Sequence, residues 1–134
     1  MKFTRETPTT LTIRSVKNGK IRIGDEIYDH TITLTADAIS DGWPEKVISD
    51  LQENDFSALL QGRPEVIVLG TGAKNVFPPR ELVFSMARLG VGFEVMDTAA
   101  AARTFNVLVG EGRQVAAVLY VQEPASAGDP SKTT

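Results

Sequence analysis

Two hydrophobic patterns divide the chain near Pro64. Before it, residues 11–16 and 21–23 alternate apolar and polar positions, which is the period of a half-buried β-strand. Asn18-Gly19 lies between these segments and predicts a two-residue turn, because both residues tolerate a positive φ. The first third of the chain is therefore predicted to contain an antiparallel β-hairpin, with further strand-like segments at residues 26–28 and 31–35.

Beyond Pro64 the apolar residues come in longer runs that alternate with helical periods. The runs at residues 66–69, 91–96 and 115–121 predict buried strands, and residues 80–89 and 97–109 predict helices. This order, strand–helix–strand–helix–strand, implies at least one parallel βαβ crossover, which is right-handed in nearly all proteins.

The two predicted helices carry clear end signals. Pro79 suits the first turn of the first helix, and Gly90 suits its end. Asp97 or Thr98 is expected to cap the second helix, and Gly110 to end it. The expected buried faces are Leu82, Val83, Met86 and Leu89 in the first helix, and Ala101, Phe105 and Leu108 in the second.

The middle of the chain gives weaker signals. Val47-Ile48 is read as a short strand, and Asp55 is expected to cap a short helix at residues 56–61. Together the patterns predict one α/β domain at residues 11–121. We expect a mixed central β-sheet with helices on its faces, a parallel βαβ section and an N-terminal antiparallel β-hairpin section. We expect residues 1–10 to be a loose N-terminal segment and residues 122–134 a disordered tail.

Composition narrows the class of protein. A length of 134 residues fits one domain, and the net charge of -3 with scattered basic residues argues against a nucleic-acid partner. No apolar run approaches the roughly 18 residues of a membrane span, and the N-terminus lacks the apolar core of a signal peptide, so we expect a cytoplasmic bacterial protein. The chain has no Cys and a single histidine, His30, so we predict that it has no metal site and no cofactor.

The segment Gly70-Thr71-Gly72 follows the first buried strand and resembles part of a dinucleotide fingerprint. The full Gly-x-Gly-x-x-Gly motif is incomplete, because Asn75 occupies the third glycine position and Pro78-Pro79 precede the helix. No Walker loop is present either. A tight turn at the end of the strand is the favoured interpretation, and a phosphate site is the alternative.

Ligands of parallel α/β sheets bind beyond the carboxyl ends of the strands, where this glycine segment and Asp97 both fall. We expect the two to share one edge of the sheet, with Arg103 reaching back to bond loop carbonyls or Asp97. Asp97 is explained equally well as a helix cap. The residues predicted to form this ligand or partner edge are Gly70, Thr71, Gly72, Lys74, Pro78, Asp97, Thr98, Arg103, Thr104 and Asn106.

Two stretches resemble the Mth-type domain family. The first is VLGTG at residues 68–72 with Pro78-Pro79 and Leu82, and the second is EVMDT at 94–98 with ARTFNVL at 102–108 and EGRQVAA at 111–117. The resemblance covers about residues 11–121. It implies a compact three-layer α/β fold, no established enzyme activity and no catalytic residues.

The family's eukaryotic members include mitochondrial complex I assembly factor 3 and an adipogenesis-associated protein. For the assembly factor the resemblance implies binding to other proteins while a respiratory complex is built. The leading hypothesis for this chain is a non-enzymatic binding or assembly protein with a protein partner, and with a weak homodimer as one option. The alternative is a small-molecule or anion site, with or without catalysis, between Gly70–Gly72 and Asp97–Arg103. There Asp97 would be the acid/base, and Lys74 and Arg103 would hold an anion.

Overall fold

The computed structural model describes residues 11–121, so the expected loose segment 1–10 and tail 122–134 lie outside the described residues. The eight strands are β1 (Ile13–Lys17), β2 (Lys20–Ile23), β3 (Glu26–Tyr28), β4 (Ile32–Leu34), β5 (Ile39–Ser40), β6 (Val66–Gly70), β7 (Gly92–Met96) and β8 (Val115–Leu119). The helices are α1 (Ser57–Gln61), α2 (Arg80–Arg88) and α3 (Thr98–Gly110).

A five-stranded mixed sheet occupies the centre of the fold, in the order β5-β4-β8-β6-β7. β6 pairs in parallel with both β7 and β8, and β4 pairs antiparallel with β5 and β8. The two flanking helices connect these parallel strands, with α2 between β6 and β7 and α3 between β7 and β8. The predicted α/β class, mixed sheet and parallel βαβ section are confirmed.

The N-terminal strands form a separate three-stranded antiparallel sheet, β1-β2-β3. Its first turn is the one predicted, with Asn18 at φ 55° and Gly19 at φ 72°. Positive φ at both central residues gives a turn whose twist matches that of the flanking strands. Apolar side chains of β1 and β2, including Ile13, Ile21 and Ile23, pack in the same core cluster as α3.

The central sheet buries both of its faces. On one face, Val66, Val68 and the inner side of α3, including Phe105, join the hairpin residues in a single cluster. On the other face, Ile67 and Leu69 pack with α2 and the irregular segment at residues 43–56. Strands buried on both sides read as continuous apolar runs, which is why β6 and β8 were recognisable in the sequence.

The predicted strand at Val47-Ile48 is wrong, because a 3-10 turn covers Ile48–Asp50 instead. Ile48 and Leu51 are both buried, and their spacing of three residues places them on the same side of such a turn. A second 3-10 turn at Glu53–Phe56 precedes α1. Asp55 is its third residue and accepts the backbone N–H of Gln52 in a capping box, rather than capping the helix itself.

The predicted face of α2 is only half correct. Leu82 and Met86 are buried, but Val83 and Leu89 are 39% and 50% exposed. The helix lies over the last two strands of the sheet, β6 and β7, and β7 is an edge strand. Only a narrow side of α2 therefore meets the core, and Val83 and Phe84 stay at the surface.

Candidate functional site

The glycine segment and Asp97 lie close together at the carboxyl ends of β6 and β7. Gly70 is in register with Met96, and the backbone N–H of Thr71 donates to the carbonyl of Met96 at 2.9 Å. The segment at residues 70–76, here called the glycine loop, therefore lies beside the start of α3. Parallel pairing alone produces this neighbourhood, as the sequence predicted.

Gly70 is required by the close approach of α3. A Cβ built on Gly70 would lie 2.8 Å from Thr98 Oγ1, 2.9 Å from Thr98 Cα and 3.0 Å from the Ala101 Cβ. Two of those atoms belong to the helix backbone or to a methyl group fixed to it, so the helix itself would have to move. This glycine serves helix–sheet packing.

Gly72 and Thr98 hold the loop and the helix together through reciprocal hydrogen bonds. The Gly72 N–H donates to Thr98 Oγ1 at 2.8 Å, and the Thr98 N–H donates to the Gly72 carbonyl at 2.8 Å. The Thr98 hydroxyl in turn donates to the carbonyl of Tyr120 at the end of β8. Gly72 has a φ of 103°, which favours glycine.

Thr71 holds the glycine loop together by hydrogen bonds across its inner side. Its buried hydroxyl donates to the carbonyl of Lys74 and accepts the N–H of Val76 at 3.1 Å. The N–H groups of Thr71, Gly72 and Val76 are thus all bonded within the protein. An anion in this loop would have to displace those bonds, so the geometry favours the tight-turn interpretation over a phosphate cradle.

Asp97 acts as the N-cap of α3, as the sequence predicted. Its carboxylate accepts the N–H of Ala100 at 2.8 Å. Thr104 is half-buried, and its hydroxyl lies 3.3 Å from the sulfur of Met96. Both residues stabilise the junction between β7 and α3.

Asn106 and Arg103 lie on the side of α3 that faces the hairpin. The Asn106 amide donates to the carbonyl of Ile13 at 2.8 Å, and its Oδ1 accepts the N–H of Ile13 at 3.0 Å. Arg103 is exposed and lines a crevice with β1 residues, including Arg14. In the described part of the chain, Arg103 forms no hydrogen bond to the glycine loop or to Asp97, so the structure places its side chain elsewhere than we expected.

The outer part of the edge is the loop at residues 73–77. Lys74 is exposed and Pro78 is buried. Between them Phe77 is 78% exposed, the largest value among the exposed large hydrophobic residues of the described chain. Phe77 was not among the predicted site residues, although an aromatic residue directly before Pro-Pro in a loop was a usable signal.

Two adjoining crevices separate α3 from β1. One, of about 200 Å³, is lined by Gly72, Asp97 and Ala99 together with the hairpin turn. The other, of about 310 Å³, is lined by Arg14, Ser15, Arg103 and Asn106. Hairpin residues were not among the predicted site residues. The sequence nevertheless shows that all the basic residues of residues 11–24 lie within the run Arg14–Arg22.

Within residues 11–121, exposed Asp29 has a pKa that is lowered mainly by its hydrogen bond with His30. Over the same residues, no group of three potential ligands among His, Cys, Asp and Glu is placed to hold a metal ion. Asp29 and Asp41 both lie within ion-pair distance of the His30 ring, between them forming a small exposed cluster.

The family model described as "Protein of unknown function (DUF498/DUF598)" matches residues 13–120, which span both sheets, the glycine loop and α3. The chain belongs to this family. The family match and an Mth938-like neighbour confirm the Mth-type resemblance. That neighbour, the solution structure of a Bordetella pertussis Mth938-like domain, superimposes with a TM-score of 0.69. It is 26% identical and covers 92% of this chain and 95% of its own.

Two curated relatives have informative names. The "13 kDa major membrane protein" of Francisella tularensis is 30% identical over 74% of this chain and 80% of the relative. The bovine "NADH dehydrogenase [ubiquinone] 1 alpha subcomplex assembly factor 3" is 30% identical over 86% of this chain, but only 63% of the relative's length is covered. No helix in the described residues is long and apolar enough to cross a membrane.

Proposed function

We propose that this chain is a non-enzymatic protein that binds another protein during the assembly of a larger complex. Its binding surface is the outer part of the edge, the loop at residues 73–77, with the first turn of α3 beside it. The names of the mammalian relatives, which are assembly factors of NADH dehydrogenase, support a protein partner. The partner's identity is not part of the proposal.

The exposed side chain of Phe77 is the observation that carries this proposal. Thr71 fixes the loop on one side through Lys74 and Val76, and buried Pro78 fixes it on the other. An aromatic side chain in a fixed loop loses little conformational freedom on binding, and buried aromatic anchors often dominate interface energies. The polar groups of the inner loop, at Thr71 and Gly72, are hydrogen-bonded within the fold. The outer surface of the loop is therefore the part that remains for a partner.

A pull-down from both the cytosol and the membranes of the source cells tests the proposal. Wild type is compared with Phe77→Ser and with the matched control Val107→Ser, since Val107 is 57% exposed on α3. We expect one or more components of a membrane complex to be captured by wild type and by the control, and to be lost with Phe77→Ser. Equal capture by all three proteins, at equal melting temperatures, would refute the proposed surface.

The same pull-down also tests the cellular compartment in which the chain resides. The sequence predicts a cytoplasmic protein, whereas the Francisella relative is named a membrane protein. We propose that this chain resides in the cytoplasm and reaches membranes through its partner. If the chain is recovered in the membrane fraction only when Phe77 is present, that result supports the arrangement. If Phe77→Ser is recovered there equally well, the result contradicts it.

The second candidate function is binding of a small molecule or an anion, and the crevice of about 200 Å³ beside Gly72 and Asp97 favours it. The Asp97 carboxylate is already bonded to the Ala100 N–H, so this function needs a ligand that leaves the cap intact. A rise in melting temperature with inorganic phosphate that is lost in Lys17→Ser would support it, because Lys17 lines this crevice. An unchanged melting temperature would count against an anion at this site.

A further inference from the structure

The two crevices between β1 and α3 form one continuous depression, here called the β1–α3 groove. They share Val16 and Ala99 as lining residues. Between Asp97 and Asn106 the helix runs about 14 Å, which corresponds to about four residues of an extended chain. The groove therefore has the length of a short peptide segment.

Cations line this groove, and they form no ion pair or side-chain hydrogen bond with any residue between 11 and 121. Arg14 and Arg103 line its wider part and Lys17 its narrower part, and all three are exposed. The ion pairs of the described chain involve other cations, namely His30, Lys46 and Arg113. Among residues 11–121, the only carboxylate that lines the groove is Asp97, which caps helix α3. A local positive charge thus remains in a chain of net charge -3.

Apolar side chains form the remainder of the groove. Val16, Ala99 and Ala102 line it between the cations, together with Ile13. A surface with an apolar floor and cationic sides fits a segment whose side chains alternate between apolar and acidic. Alternation of that kind is a property of an extended chain, in which successive side chains point in opposite directions.

The backbone of β1 offers a further contact. In a hairpin with a two-residue turn, the pair next to the turn is hydrogen-bonded, so Lys17 pairs with Lys20 in that way. Val16 is then the next, non-bonded position, and its N–H and C=O point away from β2. At Ile13 the equivalent outward groups are bonded to Asn106, which shows that this edge of β1 accepts hydrogen bonds from outside the hairpin.

We propose that the β1–α3 groove binds an acidic, extended segment of a protein partner. Carboxylates of the segment meet Arg14 and Arg103, and its backbone pairs with Val16 by strand addition. This inference rests on the proposed function, because it gives the chemistry of a partner segment beside the same edge. A short segment is favoured over a larger polyanion because the surface outside the groove belongs to a protein of net negative charge.

The test uses a fluorescein-labelled peptide of alternating Glu and Val, about eight residues long so that it extends past both ends of the groove. Binding is measured by fluorescence anisotropy at low and at physiological salt. The groove variant is Arg14→Ser with Arg103→Ser. The matched control is Arg80→Ser with Arg88→Ser, which removes two exposed arginines from α2.

We expect the groove variant to weaken peptide binding by about tenfold or more, since two charge-assisted contacts are lost, and the control by less than about twofold. Wild-type binding should also weaken as salt rises. Equal weakening by both variants would show an effect of net charge alone and would overturn the proposal. So would the absence of binding, or equal binding of a peptide of alternating Lys and Val.

Two further probes separate the acidic segment from other anions. Tighter binding of a single-stranded oligothymidine or of phosphatidylglycerol vesicles, lost in the groove variant, would overturn the acidic-segment proposal in favour of that partner class. The peptide assay does not involve Phe77. Failure of the peptide with Phe77-dependent capture intact would therefore refute this inference alone, whereas failure of that capture would refute the proposed function.

Discussion

The glycine loop and the β1–β2 hairpin border the same crevice and treat their polar groups in opposite ways. In the loop, the Thr71 hydroxyl bonds to the carbonyl of Lys74, and the Gly72 N–H bonds to Thr98 at the start of α3; both threonines are almost completely buried. In the hairpin, Arg14 and Lys17 are exposed and form no ion pair with any described residue. The polar groups of the loop stabilise the fold, whereas the charged groups of the hairpin lie at the surface.

This difference separates residues that look functional from residues that are available for function. A glycine-rich turn after a buried strand is the conventional position for a phosphate site, yet here the N–H groups of Thr71, Gly72 and Val76 are bonded within the protein. The hairpin has no recognisable motif, and its charges remain accessible. We therefore base the proposed binding surface on unpartnered groups rather than on the glycine motif.

The largest effect is expected at Gly70. Gly70→Ala would place a Cβ within 3.0 Å of Thr98 and Ala101, so α3 must shift, and we expect a loss of about 3 kcal/mol in the free energy of unfolding. Gly110→Ala is the matched control, because Gly110 has no atom within 4 Å of a built Cβ and lies at the end of a helix. Urea denaturation measures both. A cost at Gly70 no greater than at Gly110 would contradict the role assigned to this glycine.

Part of this loop chemistry was predictable and part was not. Strand β6 and the cap at Asp97 come from local signals, an apolar run and a carboxylate before a helix. The bond between Gly72 and Thr98 joins residues 26 positions apart, and Asn106 reaches Ile13 across 93 positions. No local pattern encodes such a pairing, so Asn106 was assigned to the ligand edge although it connects α3 to the hairpin.

The errors in secondary structure have a similar cause. Two adjacent apolar residues, Val47 and Ile48, do not distinguish a short strand from a 3-10 turn. The hydrogen bonds from Trp43 to the Tyr120 hydroxyl and from that hydroxyl to the Lys46 carbonyl hold this segment, and both depend on a strand more than 70 residues away. Helix α2 was assigned too wide an apolar face because its position over the sheet edge is a tertiary property.

A smaller effect is expected where the two regions are joined, at Asn106. Asn106→Ala removes both hydrogen bonds to the Ile13 backbone and leaves that N–H and C=O without their partner. We expect a loss of about 1–2 kcal/mol in the free energy of unfolding and faster hydrogen exchange at Ile13. Asn75→Ala, at an exposed loop position, serves as the control. Unchanged protection of the Ile13 amide would show that the hairpin is held by its apolar side chains alone.

The smallest expected effect, and the one that bears most directly on the comparison, is at Lys17. Lys17 lies directly opposite Lys20 in the hairpin, and like charges in such a pair are destabilising. Lys17→Glu should therefore stabilise the protein by roughly 0.5 kcal/mol at low salt, and Lys17→Gln by a smaller amount. The acidic peptide should bind Lys17→Glu more weakly than wild type, because a groove cation has become an anion.

Higher stability with weaker binding would mean that the hairpin keeps its repulsive pair for the sake of a partner, as stability–function trade-offs in other proteins suggest. If Lys17→Glu gains no stability, the two lysines do not repel measurably, and the exposed charge of the hairpin carries no cost that a partner must explain.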